Sequence, residues 1–248
     1  MLDYLLFYQV VADTVSSYAS DVDDVILLIA WFVGFWLFLA EGVFFALLFI
    51  YRKKDGQKSQ YITGEEAHQK RWVTIPHLLV LICDVFIIVG AVRVWVDVKQ
   101  TLPPPDAEIR IISQQWAWSF QHPGADNVLD TDDDIFTSEE LRISSDKVYH
   151  YHLSSLDVLH DFSVPVFRLK QDAVPGRVIT GWFEAEKTGT YDIQCAEMCG
   201  IGHGLMPGRL VIETPEQHMA WVNSRPETKL AAAKHKKSGE LAKAAITK

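Results

Sequence analysis

Cys195, Cys199, His203 and Met206 fall within one short stretch, Gln194–Pro207, spaced Cys-x3-Cys-x3-His-x2-Met. Two thiols, an imidazole and a thioether form a soft donor set. Such a set selects copper, or zinc where the thioether is left aside, over hard cations. Gly200, Gly202, Gly204 and Gly208 are interleaved with the donors. They let the backbone turn tightly around an ion. One imidazole is too few for most such sites. His160, in Asp157-Val158-Leu159-His160-Asp161-Phe162, is the best remote candidate for a second.

Four readings compete for these donors. A Cys195–Cys199 disulfide leaves His203 and Met206 unexplained. A structural zinc site with two cysteines and two histidines matches the ligand types but has little use for Met206. A mononuclear blue-copper site takes one cysteine, two histidines and a weak axial methionine, leaving one cysteine spare. A dinuclear copper site uses every donor, with both thiolates bridging, and is the expected reading.

A rigid scaffold must bring these residues together. Short segments of β character follow a proline-rich linker at residues 97–106: Glu108–Ser113, Gln115–Gln121, Glu139–Ser144, Lys147–Leu153, Arg177–Ala185, Thr190–Cys195 and Gly208–Glu213. Gly, Pro, Asp and Ser punctuate them, as in a sandwich or barrel. The donor loop then joins two neighbouring strands. Glu216–Ser224 reads as a closing helix, capped by Thr214 with Pro215 in its first turn. The β domain is expected over residues 107–224, with a basic Ala/Lys-rich tail over 225–248.

The first hundred residues are of another kind. Val25–Tyr51 is apolar apart from Glu41, and Trp72–Val96 is apolar apart from Asp84 and Arg93. Each is long enough to cross a bilayer, which takes about 20 residues. Arg52, Lys53, Lys54, Lys58, Lys70 and Arg71 lie in or beside the loop between them. Basic loops stay cytoplasmic, so both chain ends are expected on the outer side. Residues 1–24 form an outer-side segment in which Leu2, Leu5, Leu6, Val10 and Val11 could make a short interfacial helix. No basic region precedes them, so a secretory signal is not expected. Glu41, Asp84 and Arg93 are expected to be paired against neighbouring subunits.

Residues 105–224 hold nineteen Asp and Glu against eight Lys and Arg. That balance argues against nucleic acid and for a basic partner. Asp126, Asp130, Asp132, Asp133, Asp134, Glu139, Glu140 and Asp157 are candidates for the face such a partner meets. His122, His150, His152 and His218 have no expected metal role.

The run Cys-x-Glu-x-Cys-x3-His-x2-Met, with Gln115-Trp116-Ala117-Trp118-Ser119, Asp157-Val158-Leu159-His160 and Leu169-Lys170-Gln171-Asp172-Ala173-Val174-Pro175-Gly176-Arg177, resembles subunit II of the haem-copper cytochrome c oxidases. The resemblance covers about residues 25–222. It implies a two-helix transmembrane hairpin followed by an all-β, cupredoxin-like Greek-key barrel. It implies that His160, Cys195, Cys199, His203, Met206 and the carbonyl of Glu197 hold the CuA pair. The Glu197 side chain would reach a magnesium or manganese ion shared with the catalytic subunit. Trp116 stands where the family receives electrons, and Ala117 replaces a common tyrosine beside it. The residue seven before Pro76 is Gln69, so Glu66 is the carboxylate expected at a proton-pathway entrance. The implied partners are a haem-bearing catalytic subunit I, other oxidase subunits, and cytochrome c or a tethered cytochrome c domain. The implied place is the inner (cell) membrane, with the copper domain on the periplasmic side. The alternatives are the CuA subunit of a nitric oxide reductase and a membrane-anchored zinc- or copper-binding module.

Overall fold

A computed structural model describes residues 14–58 and 61–226 of the chain. The interfacial helix expected at Leu2–Val11 and most of the basic tail lie outside these residues. The chain divides into two compact units: Asp21–Asp97, and a second made of the N-terminal segment before residue 21 with the chain from Val98 onward.

The first unit is a pair of long helices, α1 (Ala19–Ile50) and α2 (Ala67–Trp95). At 32 residues α1 is about 48 Å long, more than the roughly 30 Å of a bilayer core. It starts before the expected residue 25, because Asp21 in its first turn suits the helix N-terminus. The second helix also starts early, with Glu66 at its N-cap. Its first turn is polar and so escapes a search for apolar runs. The helices pack antiparallel: Val25 and Leu28 lie over Gly90, and Phe32 meets Phe86 with ring centres 6.5 Å apart. Their outer faces are apolar and exposed, with Trp31 and Phe38 each at 78%. A helix apolar all round requires lipid or protein as cover. Glu41, Asp84 and Arg93 are exposed on this unit. The expected linker begins as a π-helical turn, Val96–Gln100.

The second unit is a β-sandwich of two five-stranded sheets. The strands are β1 (Ala107–Gln114), β2 (Ala117–His122), β3 (Ile135–Ser138), β4 (Glu140–Ser144), β5 (Val148–Ser155), β6 (His160–Val164), β7 (Leu169–Ala173), β8 (Ile179–Glu184), β9 (Gly189–Cys195) and β10 (Gly208–Glu213). The sheet orders are β3-β2-β1-β5-β8 and β4-β10-β9-β6-β7. Alternation builds the core: along β5, Tyr149, Tyr151 and Leu153 point inward, where Trp118, Phe120, Phe162, Phe167 and Phe183 are also buried. Helix α3 (Pro215–Ser224) closes the fold with the expected cap. Thr214 Oγ1 accepts from the Gln217 amide, and Gln217 Oε1 accepts from the Thr214 amide.

Every expected strand is present, within a few residues. Gln115 and Trp116 sit in the β1–β2 turn and not in a strand. Three further strands, β3, β6 and β7, have no legible alternation. All five residues of β6 are buried, including His160 and Asp161. A second unexpected feature is the segment before α1. The Val15 amide donates to Val166 O, Ser16 pairs with Ala185, and Ser16 Oγ donates to Phe167 O. Val15, Ser16 and Tyr18 are buried there.

Candidate metal centre

Three connections meet at one pole of the sandwich. The β1–β2 turn carries Gln115 and Trp116, the β5–β6 loop carries Asp157, and the β9–β10 loop carries the donor motif. Antiparallel pairing puts Cys195, at the end of β9, opposite Phe162, two residues past His160. A remote histidine thus reaches the loop by register.

The donor atoms converge. Cys195 Sγ and Cys199 Sγ are 3.7 Å apart. Both are free thiols, well beyond the roughly 2.05 Å of a disulfide. His160 Nδ1 is 3.9 Å from Cys195 Sγ, and His203 Nδ1 is 3.6 Å from Cys199 Sγ. Met206 Sδ is 3.4 Å from Cys199 Sγ, and Glu197 O is 3.3 Å from Cys195 Sγ. One atom each of His160, Cys195 and Cys199 lie within 4.8 Å of one another. The set comprises two sulfurs between two imidazole nitrogens, with a thioether and a carbonyl beside them. That donor chemistry fits a soft or borderline ion such as copper or zinc better than a hard cation.

The surroundings fix these atoms. His160 Nε2 donates to Asp157 Oδ1 at 2.9 Å, which leaves Nδ1 bare toward the sulfurs. Gln115 Nε2 and Trp116 Nε1 both donate to Cys199 O, at 2.9 and 3.3 Å. Trp118 Nε1 donates to Met206 O at 3.1 Å. Trp116 is 38% exposed. Its indole rests on Gly202, where a Cβ would overlap the ring. Gly200 has φ +120°, a conformation that side chains rarely adopt.

The family described as cytochrome c oxidase subunit II, periplasmic domain, matches residues 107–214. An alternative cytochrome c oxidase subunit 2 of Bradyrhizobium diazoefficiens is 31% identical over 227 residues, covering 82% of this chain and 80% of that protein. This chain belongs to the cytochrome c oxidase subunit II family. The cytochrome c oxidase subunit 2 of Thermostichus vulcanus is 43% identical over 117 residues, which cover 47% of this chain and 33% of that protein. A solved structure, the periplasmic domain of subunit II of cytochrome oxidase of Bradyrhizobium japonicum, is 28% identical and covers 50% of this chain and 96% of that one, with a TM-score of 0.45.

The electrostatics of the pole follow from burial and from neighbouring charges. Burial, then the neighbouring Cys195 thiol, push the Cys199 thiol up to about 11. Two thiolates side by side therefore call for positive charge between them. Burial also pushes the Asp161 carboxyl up to about 6, helped by Asp172 and Glu197. Burial works against Asp157 as well, but bonds from His160, the Gln115 amide and the Val158 amide outweigh it and lower its pKa.

The remaining expected residues lie elsewhere. Glu66 is exposed in the helical unit, 3.1 Å from His68 Nδ1, and Gln69 accepts from the Gly64 amide. His122, His150, His152 and His218 bond to Ile135 O, Pro103 O, Glu108 and Glu213 respectively. The acidic face divides between the two poles. Asp126–Asp134 form the β2–β3 loop, at the end of β2 away from Trp116. Six residues of β2 place that loop about 20 Å from the donor atoms. Its carboxylates also serve the loop: Asp130 pairs with Arg110, Asp133 accepts from the Ala125 amide, and Asp134 accepts from Gln121. Glu139 and Glu140 are at the donor pole, beside Arg209 and Asp192. Sequence reading overlooked Gln115 and the ring of Trp118 as supports for the loop. The run Gln115–Ser119, which holds both residues beside Trp116, is their visible signal.

Proposed function

We propose that this chain is the electron-receiving subunit of a terminal haem-copper oxidase, holding dinuclear CuA with His160, Cys195, Cys199, His203, Met206 and the carbonyl of Glu197. Held by these residues, a copper pair would supply uptake and release of one electron with little change in its ligands. The observation that carries the proposal is the convergence of two thiols, two imidazole nitrogens, a thioether and a carbonyl at one pole.

The residues around the donors have separable tasks. Trp116 touches solvent on one side and Cys199 O on the other, so it spans the gap between an electron donor and a thiolate ligand. Met206 and Cys199 are buried, at 2% and 3% exposure, which keeps water from that side of the centre. Rigid β strands hold the ligands against rearrangement when charge changes. Around Trp116, Met198, Ile201, Leu205 and Leu156 are exposed, and Glu139 and Asp192 lie at the same pole. Cytochrome c, or a tethered cytochrome c domain, docks there, and electrons pass on to haem in the catalytic subunit I. Oxygen is reduced to water on that subunit, with proton translocation. The exposed Glu197 carboxylate is one ligand for a magnesium or manganese ion; the others come from the catalytic subunit. Glu66, outside the apolar span, is the carboxylate offered to a proton pathway. The helix pair crosses the inner (cell) membrane with the sandwich on the periplasmic side.

The test is rapid mixing of reduced cytochrome c with the purified complex. Donor oxidation should precede haem reduction and should be lost in Cys199→Ser, whose remaining thiol cannot bridge with a partner. Unchanged haem reduction in Cys199→Ser would refute the route.

A further inference from the structure

The run Gln115-Trp116-Ala117-Trp118 holds two tryptophans with opposite fates. Trp116 keeps a solvent-facing edge, whereas Trp118, on β2, has no exposed surface. A buried indole needs an acceptor for its N–H, because an unpaired buried donor costs free energy. The acceptor is Met206 O, at 3.1 Å and 88 residues further along the chain. Met206 falls between the 3-10 turn His203–Leu205 and β10, so neither a helix nor a sheet ladder holds it. The Trp118 backbone reaches the same place by a second path. Trp118 O accepts from the Glu139 amide at 2.9 Å, and Glu139 O accepts from the Arg209 amide at 2.7 Å. Side chain and main chain of one residue thus grip the loop on either side of Pro207. The ring also meets His160 at 6.2 Å and Phe162 at 5.4 Å between centroids, both edge to face. Gly208 leaves it room: a Cβ there would lie 3.3 Å from Trp118 Cδ1 and 3.1 Å from Ile193 Cβ.

We infer that Trp118 is a positioning residue: it sets how closely the Met206 thioether approaches the thiolates, and through Met206 the potential of the centre. The inference rests on the copper reading above. Met206 Sδ lies 3.4 Å from Cys199 Sγ. It ends a flexible, unbranched side chain, so its approach depends on where the backbone is held. The Trp118 N–H is the side-chain bond that holds that backbone. Electron donation from a thioether stabilises the more highly charged, oxidised ion. A retreating thioether therefore raises the potential, as axial ligands tune other copper sites. Trp118 has no surface for a donor to meet, so its task is distinct from that of Trp116.

The assembled oxidase carries the test, in a double-mutant cycle of Trp118→Phe and Met206→Leu. The readouts are the copper midpoint potential, the EPR and visible spectra, and donor kinetics across ionic strength. Trp118→Phe keeps a ring in the core but removes the N–H. Its potential should rise and its spectrum shift, while the donor KM and salt dependence stay those of the wild type. Met206→Leu should raise the potential further, and adding Trp118→Phe to it should change nothing more. Gly208→Ala presses on the ring but keeps the N–H, so it should move the potential less than Trp118→Phe does. That shift should likewise vanish beside Met206→Leu, which keeps the test available where Trp118→Phe does not assemble. Equal shifts from Trp118→Phe with and without Met206 would overturn the inference, because the ring would then act by another path. A wild-type potential or a raised donor KM in Trp118→Phe would overturn it too. A wild-type complex without any copper signal would instead overturn the copper reading itself.

Discussion

Trp116 is where one side chain connects solvent to Cys199 O, so in the proposed centre it would separate electron arrival from metal binding. Trp116→Phe keeps the ring on Gly202 but removes the bond from Nε1 to Cys199 O. The copper spectrum should persist while transfer from the donor slows, read by stopped-flow absorbance. Normal donor kinetics would take Trp116 off the route. Gly202→Ala acts on the same ring from the other side, because its Cβ needs the space the indole occupies. It should slow electron arrival as much as Trp116→Phe does, and also broaden the copper EPR signal as the loop shifts. The donors themselves were legible because Cys195, Cys199, His203 and Met206 share one short loop with diagnostic spacing. The bond from His160 to Asp157 was not, since an acidic residue reads alike whether its carboxylate meets solvent or a buried imidazole.

The strands and the closing helix form a second level, with His122 as its most informative group. It is buried between β2 and β4, against the Trp221 ring of α3, with Nδ1 on Ile135 O and Nε2 accepting from the Arg142 amide. Burial pushes its pKa down to about 3, and nearby His218, Arg225 and Arg142 add to this. The folded domain therefore holds a neutral ring where the unfolded chain, with a pKa near 6.5, takes a proton. The stabilisation is complete above that value and is lost as pH falls toward 3. Stability should drop between pH 7 and 5, by up to about 1.4 kcal/mol per pH unit, and the melting temperature should fall with it. His122→Asn should be less stable at pH 7 and should flatten that slope. An unchanged slope would place the titrating group elsewhere. Strands with alternating burial, such as β5, could be read from the sequence. His160–Val164 could not, because a strand covered on both faces has no alternation to show, and Leu169–Ala173 is apolar only at its two ends. The packing of Val15, Ser16 and Tyr18 onto the sandwich was also hidden, since the contact spans more than 150 residues.

At the scale of the molecule, charge and apolar surface are distributed by pole. The acidic balance of residues 105–224 suggested a basic partner, and composition alone could not say which acids that partner would meet. The β2–β3 loop lies at the far pole, so Asp126→Asn with Asp132→Asn should leave the salt dependence of donor oxidation unchanged. Glu139→Gln with Asp192→Asn, at the donor pole, should weaken encounter at low ionic strength and matter less as salt screens the remaining charge. Equal effects from the two pairs would mean that long-range field, and not local contact, guides the donor. The two apolar spans were readable from length and composition; the polar first turn of α2 was not, because it carries no apolar run. The central claim is that one pole of the sandwich holds two coppers sharing a single electron. Copper content and the EPR spectrum of the oxidised, purified complex test it most directly. The account predicts two coppers in this chain and a hyperfine pattern split by two equivalent copper nuclei, lost in Cys199→Ser. A pattern split by one copper nucleus, or zinc bound without an EPR signal, would contradict it.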